Sequence, residues 1–187
     1  MYPKVSIRHA FNSKFSILSF SLFLALFAWL QAPCLEAGGW GKTEKVSEYE
    51  GVKWNGVYFD MNGLYFRASI PNSSGAALQN NMVSLGGKVK GTDAEYVITT
   101  SLNKGFRSPR SVKEFAKMIQ KANPSYKVTA IDAKKHGAKY GVDMVPKNQK
   151  DTAFWRFLAT DDRLIKMGSG DTNENRRHHF FKSIHIR

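Results

Sequence analysis

The sequence predicts an α+β protein with one antiparallel sheet of about six to eight strands, on which one main amphipathic helix and a short C-terminal helix pack. Apolar and polar residues alternate through much of the chain after Val52, which is the period of a half-buried strand. One segment, 111–122, changes to helical spacing. Turn-forming residues separate the alternating segments closely enough for antiparallel pairing.

Residues 1–37 have the pattern of a secretory signal peptide. Lys14 and two earlier basic residues precede the apolar run 15–30, which has no charge and ends just before Pro33. A membrane-spanning helix needs about 20 apolar residues, so this run is short for a permanent anchor. We therefore expect cleavage near Gly38 and a periplasmic or secreted mature protein.

Cys34 leaves an alternative open, because a cysteine at the end of an apolar run is the lipid-attachment residue of a bacterial lipoprotein. A second alternative is an N-terminal anchor that is never removed. Cys34 is also the only cysteine in the chain. The mature chain therefore has no disulfide and no disulfide-linked partner, and about 150 residues are stabilised by burial alone.

The mature chain is strongly basic. The full chain has 28 Lys and Arg against 15 Asp and Glu, and removing 1–37 takes away three basic residues and one acidic residue, which leaves +11. Such a charge favours attraction to anionic lipid, acidic polymers or nucleic acid. We expect a protein partner in the envelope and weak contact with an anionic surface. The basic residues are scattered rather than continuous, and an exported protein rarely meets nucleic acid. Nucleic-acid binding is therefore not expected.

The domain is predicted to begin at Val52, after a flexible leader at 38–51, and to continue to Arg187. Alternation across 52–71 with a break at Asn62-Gly63 indicates a hairpin, and 71–81 is rich enough in turn-forming residues to be a loop. Further strands are predicted at 82–90, 95–102, 126–133, 138–146, 152–160 and 163–168, the last four as an antiparallel meander.

The main helix has the clearest local signal. Ser111 is followed three residues later by Glu114, which is a capping box. Phe115 and Ile119 lie on its apolar face, while the opposite face contains Lys113, Glu114, Lys117, Gln120 and Lys121. Pro124 ends the helix. A second, short helix is predicted at 173–181 with Thr172 or Asn173 as its cap, followed by a strand at 183–187 with Ile184 and Ile186 inward.

This order of elements and the ending Phe180-Phe181-Lys182-Ser183-Ile184-His185-Ile186 resemble the Mog1/PsbP-like fold group, over about 52–187. The resemblance implies an antiparallel sheet between helices. It also implies a binding or accessory role, because members of that group are mostly non-enzymatic: accessory subunits of photosynthetic complexes, small-GTPase-binding factors, envelope lipoproteins and secretion chaperones. It supplies no catalytic motif.

No catalytic motif is evident in the sequence itself. Gly168-Ser169-Gly170 lacks the flanking pattern of a nucleophile elbow and is interpreted as a turn, and no Gly-rich phosphate-binding loop is present. We therefore predict a protein that is not an enzyme. The competing class is an extracytoplasmic enzyme, which a buried convergence of Asp143, His136 and Arg156 in a cleft would support.

The histidines near the C-terminus are the candidate metal ligands of this chain. Glu174 and His178 would share one face of a helix, but the adjacent His178 and His179 point about 100° apart and do not readily bind one ion. We interpret His178 or His179 as exposed beside Arg176 and Arg177. No metal and no cofactor are predicted.

The predicted partner-binding residues are Trp155, Phe157 and Arg156, with Arg176 and Arg177. Alternation sends Trp155 and Phe157 to one face of their strand and Arg156 to the other. We expect one of these faces to be covered only by the loop 71–81, which would leave an aromatic groove for an envelope protein. The two later arginines belong to one of the densest basic groups of the chain.

Overall fold

The computed structural model describes residues 39–71, 73–79, 81–102, 104–148 and 153–187. The predicted signal peptide, 1–37, and Cys34 lie outside the described residues. Within these ranges no helix combines the length and the apolar character needed to cross a membrane.

The described chain forms two antiparallel sheets. The smaller has the order β1-β2-β3-β11 and the larger the order β4-β5-β6-β10-β9-β8-β7. The strands of the smaller sheet are β1 (Trp40–Tyr49), β2 (Val52–Met61), β3 (Leu64–Pro71) and β11 (His185–Ile186). Those of the larger sheet are β4 (Ser73–Gln79), β5 (Met82–Lys88), β6 (Glu95–Ser101), β7 (Tyr126–Ile131), β8 (Tyr140–Pro146), β9 (Phe154–Ala159) and β10 (Leu164–Ser169).

Two helices pack against this framework. Helix α1 (Val112–Ala122) contacts β7 and β8, and helix α2 (Glu174–Ser183) contacts β3. A 3-10 turn, Lys134–His136, connects β7 to β8 and contacts β11. The α+β class predicted from the sequence is confirmed. The seven-stranded sheet lies in the predicted range of strands, and the four-stranded sheet is an additional layer.

The seven-stranded sheet buries side chains on both faces. Leu158 of β9 belongs to the larger apolar cluster, which contains residues of the four-stranded sheet and Phe180 and Phe181 of α2. Its neighbour Phe157 belongs to a second cluster around Phe115 and Ile119 of α1. Because successive side chains of a strand point to opposite faces, α1 covers one face of the sheet while α2 and the four-stranded sheet lie on the other.

Several predicted elements are confirmed closely. Asn62 and Gly63 form the β2–β3 turn with positive φ values of 50° and 71°. Ser111 caps α1 by accepting the Glu114 N–H, and Asn173, one of the two predicted caps, begins α2 in the same way through Arg176 N–H. Strands β7 to β10 form the predicted antiparallel meander.

The segment predicted as a flexible leader, 38–51, contains a strand at residues 40–49, so regular structure begins before the predicted start at Val52. Residues 40–49 form β1, which pairs with β2 from Trp40–Phe59 to Tyr49–Val52 and contains one irregularity between Lys42 and Val46. This strand lies at the edge of its sheet. Main-chain pairing on one side stabilises such a strand without a full apolar alternation, so the pattern that marks inner strands is weak there.

The prediction of a loop at 71–81 is wrong, because Ser73–Gln79 is strand β4. It pairs with β5 along its length, from Ser73–Lys88 to Gln79–Met82, and forms one edge of the seven-stranded sheet. Ser, Gly and Ala dominate this segment, and such residues favour turns or are neutral locally. Pairing with β5 overrides that local preference.

Candidate functional site

Arg156, one of the predicted partner-binding residues, is buried inside the protein. It lies opposite Asp143 on β8, and the two side chains form a bidentate ion pair with Nε–Oδ1 at 2.6 Å and Nη2–Oδ2 at 2.8 Å. Its Nη1 donates to the main-chain oxygen of Phe181 at 2.8 Å and lies 3.2 Å from His136 Nε2. Arg156 therefore connects β8, β9, the 3-10 turn and α2.

His136 completes this cluster in its neutral form. Its Nδ1 lies 3.0 Å from the main-chain oxygen of Ile184. Since a carbonyl oxygen only accepts, Nδ1 carries the proton and Nε2 accepts from Arg156. Burial, helped by the positive charges of Arg156 and Lys135, holds the pKa of His136 below its usual value despite the bond to Ile184.

The structure thus brings together Asp143, His136 and Arg156, the three groups whose convergence would favour an enzyme. The guanidinium, however, is bonded to protein groups on three sides, and the imidazole is bonded through both nitrogens. None of these three residues lines the surface groove beside α1 and β7 or the groove between the β1–β2 and β5–β6 turns. The arrangement fixes the end of the chain against the sheet.

Arg176 also forms an internal ion pair, with Asp171. Its Nε and Nη2 donate to the two carboxylate oxygens at 2.5 and 2.8 Å, the Tyr96 hydroxyl donates to Oδ2, and Asn173 N–H donates to Oδ1 at 2.8 Å. Asp171 is 1% exposed. Burial alone would raise the pKa of Asp171, but these hydrogen bonds outweigh it and lower the pKa. The pair fixes the start of α2.

Arg177 covers the aromatic ring of Phe154. Its guanidinium carbon lies 3.8 Å from the ring centroid, and Nη1 donates to the main-chain oxygens of Asp171 and Thr172, both at 2.8 Å. Cation–π contact of this kind favours a fixed position for both side chains. All three arginines that were predicted to meet a partner, Arg156, Arg176 and Arg177, are therefore bonded to groups of their own chain.

The predicted aromatic groove is filled. Trp155 and Phe157 pack in the cluster formed with α1, and Phe157 is 7% exposed. The segment expected to cover this strand is β4, at the opposite edge of the sheet from β7 and separated from β9 by three strands. The prediction was wrong here because it left the face under α1 unassigned.

The histidines of α2 differ from each other. His178 is exposed, whereas the His179 ring stacks on Tyr49 at 4.6 Å and meets Trp54 edge-on at 4.8 Å. Burial lowers the pKa of His179. The interpretation of these residues as exposed is thus correct for His178 only. In the described ranges, no group of three or more His, Cys, Asp or Glu residues has the arrangement of a metal site.

A groove of about 590 Å³ lies where α1 extends along β7. Its apolar lining comes from Val112 and Ala116 of the helix and from Val128 and Ala130 of the strand. Its polar lining consists of Lys113, Lys117, Gln120 and Lys121. In the described part of the chain none of these three lysines forms an ion pair. Their charges are available to a bound group.

A second groove, of about 580 Å³, lies between the β1–β2 turn, the end of β3 and the β5–β6 turn. Val52, Pro71 and Val89 give it an apolar floor, and Lys53, Lys88 and Lys90 lie around it. Lys88 is 3.3 Å from Asp93. Lys53 and Lys90 have no acidic partner among the described residues. This groove also combines apolar surface with positive charge.

Sequence reasoning did not find either groove. It placed Lys113, Lys117 and Lys121 on the polar face of α1 at spacings of four residues, which is the available signal for the first groove. That this face lies beside an edge strand depends on the order of the strands in the sheet, which helical spacing does not indicate. In the second groove the lysines come from separate turns, so no local spacing marks it.

Comparison with protein-family models, with curated proteins and with solved structures gave no match for this chain. The resemblance to the Mog1/PsbP-like group therefore stays a prediction.

Proposed function

We propose that this chain is an exported, non-enzymatic binding protein of the cell envelope, and that its partner is a protein with an acidic surface. The observation that carries the proposal is that both grooves pair an apolar floor with lysines. Apolar contact supplies binding free energy, and complementary charge supplies orientation and a faster association rate. An anionic membrane surface is the other partner to be tested.

The buried ionisable groups support binding rather than catalysis. A general acid or base has to reach a substrate within hydrogen-bonding distance. Arg156 and Asp171 instead direct their polar atoms at groups of their own chain. The groove lysines that form no ion pair among the described residues are Lys113, Lys117 and Lys121 in the first groove and Lys53 and Lys90 in the second, and their charges are available to a partner.

Binding to defined anionic probes tests this proposal. We expect the exported protein, produced from the full chain, to bind polyglutamate, with an affinity that falls as salt rises. Replacing two groove lysines by glutamate, as K53E/K90E or K113E/K117E, is expected to weaken binding by about tenfold or more at one groove. K134E/K135E makes the same charge change at exposed residues outside both grooves and serves as the matched control.

The outcomes separate the two partner classes. Weakening by a groove variant but not by K134E/K135E supports a specific acidic protein partner. Equal weakening by all three variants shows only general charge attraction and contradicts the proposal. Binding to vesicles that contain phosphatidylglycerol, but not to polyglutamate, favours the membrane surface instead.

Export is tested by the intact mass and the N-terminus of the protein recovered from its native host. A start near Gly38 supports cleavage of the signal peptide. A start at a lipid-modified Cys34 makes the protein a lipoprotein. A start at Met1 contradicts export and favours the uncleaved anchor.

A further inference from the structure

Strand β7 forms an edge of the seven-stranded sheet, and the direction of its main-chain groups can be deduced. Gln120 of α1 donates through Nε2 to the Tyr126 carbonyl at 2.8 Å and accepts the Val128 N–H through Oε1 at 3.2 Å. On the other side, Lys147 N–H donates to the Ser125 carbonyl. In an antiparallel strand the N–H and C=O of one residue point to the same side and alternate along the chain. The main-chain N–H and C=O groups of residues 126, 128 and 130 therefore point away from β8.

Gln120 forms hydrogen bonds with only two of these outward main-chain groups, the Tyr126 carbonyl and the Val128 N–H. Its side-chain amide takes the place of a neighbouring strand at Tyr126 and Val128. The carbonyl of Val128 and both main-chain groups of Ala130 follow in the outward direction. In the described chain no hydrogen bond engages these three groups. They form a short row of acceptor, donor and acceptor, which is what an additional strand pairs with.

Helix α1 provides one wall beside this row. The groove between α1 and β7 is lined by Val112 and Ala116 on the helix and by Ala130, which is exposed, on the strand. Lys113 and Lys117 are exposed one turn apart along the same side of the helix. An extended segment lying along β7 would therefore place alternate side chains against small apolar residues and within reach of two ammonium groups.

We propose that an extended acidic segment of a partner protein adds to β7 as an eighth strand of the large sheet. Its main chain pairs with Val128 and Ala130, its small or apolar side chains contact Ala116 and Val112, and its carboxylates contact Lys113 and Lys117. This inference rests on the proposed function and assigns the acidic partner to one of the two grooves.

The charge of the groove decides against a second copy of this chain as the occupant. Pairing β7 with β7 of another copy would bring together two sets of Lys113, Lys117 and Lys127, and like charges directly opposed are destabilising. The row of alternating donors and acceptors also favours a polypeptide over a lipid headgroup, which supplies charge but no strand of amides.

The first test uses a labelled eight-residue peptide, Val-Thr-Glu-Thr-Val-Thr-Glu-Thr, whose valine and glutamate side chains share one face of a strand. Its binding to the exported protein is measured by fluorescence anisotropy. Two N-methylated versions carry the methyl groups on alternate sets of amides. Only one set faces β7, so we expect one version to bind about tenfold or more weakly and the other to bind as the parent does, because only the first version loses its N–H donors to the β7 carbonyls.

The second test changes the protein. Ala130→Pro removes the outward N–H and leaves the β8 pairing, since proline is tolerated where the N–H of an edge strand faces solvent. Ala130→Ser keeps the N–H and is the matched control. We expect A130P to weaken peptide binding about tenfold and A130S to leave it unchanged, and we expect the Ala130 amide of the unaltered protein to exchange slowly only when the peptide is bound.

Other outcomes overturn the inference in distinguishable ways. If both N-methylated peptides bind equally and K53E/K90E weakens binding while A130P does not, the acidic partner binds the second groove and the proposed function stands. If neither the peptide nor polyglutamate binds, the proposed function fails as well. If the free protein is a dimer that A130P dissociates, the occupant is a second copy.

Discussion

The two helices lie on opposite faces of the large sheet and are held there by different contacts. Helix α1 presents an apolar face from which Phe115 and Ile119 are buried against β7, β8 and β9. Helix α2 buries only Phe180 and Phe181 near its end. The ion pair of Arg176 with Asp171 fixes its start, and a hydrogen bond from Arg156 to the Phe181 carbonyl fixes its end. An amphipathic pattern therefore specifies the position of the first helix, whereas tertiary polar contacts specify the position of the second.

The two ion pairs that hold α2 bury opposite charges. In the Asp171–Arg176 pair the carboxylate is 1% exposed and the arginine side chain 19%. In the Asp143–Arg156 pair the arginine is 9% exposed and the carboxylate 31%. Removing one partner of a buried pair leaves an uncompensated charge. The resulting loss in the free energy of unfolding therefore depends on which other groups still form hydrogen bonds with the buried residue.

The largest effect is expected for Arg176→Met. The buried Asp171 carboxylate keeps Tyr96 and Asn173 as donors but loses its countercharge, which should lower the free energy of unfolding by about 3–5 kcal/mol. Urea denaturation measures the loss. Lys182→Met removes an exposed positive charge from the last turn of the same helix and serves as the control. Equal, small effects of both substitutions would show that the pair does not fix α2.

A smaller effect is expected for Asp143→Asn. Arg156 keeps the Phe181 carbonyl and His136 as acceptors, and the amide still offers one oxygen, so we expect a loss of about 1–3 kcal/mol by the same measurement. Asp93→Asn changes a fully exposed carboxylate and should leave the unfolding midpoint unchanged. A loss larger than that of R176M would reverse the ranking of the two pairs.

The contrast between the helices also explains how far the sequence alone could lead. The spacing of Phe115 and Ile119 and the capping box predicted α1 and its buried face correctly. The same reasoning treated Arg156, Arg176 and Arg177 as residues for a partner. Arg176 and Arg177 bond acceptors only five or six residues away, but no local pattern shows that Asp171 is buried. Arg156 bonds Phe181, 25 residues away, and Tyr96 donates to Asp171 across 75 residues. Such pairings, like the edge position of β7, follow from topology and leave no local period.

Mild acid is expected to destabilise the α2 side of the protein. The pKa values of His136 and His179 are lowered by burial in the folded state. The unfolded chain, in which histidine has its usual pKa of about 6.5, therefore binds protons that the folded chain does not. Stability is fully present above that value and falls as pH decreases toward the folded-state pKa, by at most about 1.4 kcal/mol per pH unit for each group.

Urea denaturation at several pH values between neutrality and about pH 5 measures this slope. The groups near His136 that disfavour a positive charge on its ring are Arg156, Lys135 and His185. Replacing His136 by Gln should reduce the slope, and replacing the exposed His178 by Gln should not. A slope unchanged by H136Q would mean that this histidine does not titrate on unfolding.

The smallest effects are expected where the two helices are alike, at their N-caps. Ser111 Oγ accepts the Glu114 N–H at 3.2 Å, and Asn173 Oδ1 accepts the Arg176 N–H at 3.0 Å. Ser111→Ala and Asn173→Ala should each cost about 1 kcal/mol, while the exchanges Ser111→Asn and Asn173→Ser should be nearly neutral, because both residues are good caps. If Asn173→Ala costs much more than Ser111→Ala, the extra loss belongs to Asp171 and Arg176, because the Asp171 carboxylate accepts the Asn173 N–H and the Arg176 N–H donates to the Asn173 side chain. The polar contacts that distinguish α2 from α1 would then already act in the first turn of α2, ahead of its buried residues Phe180 and Phe181.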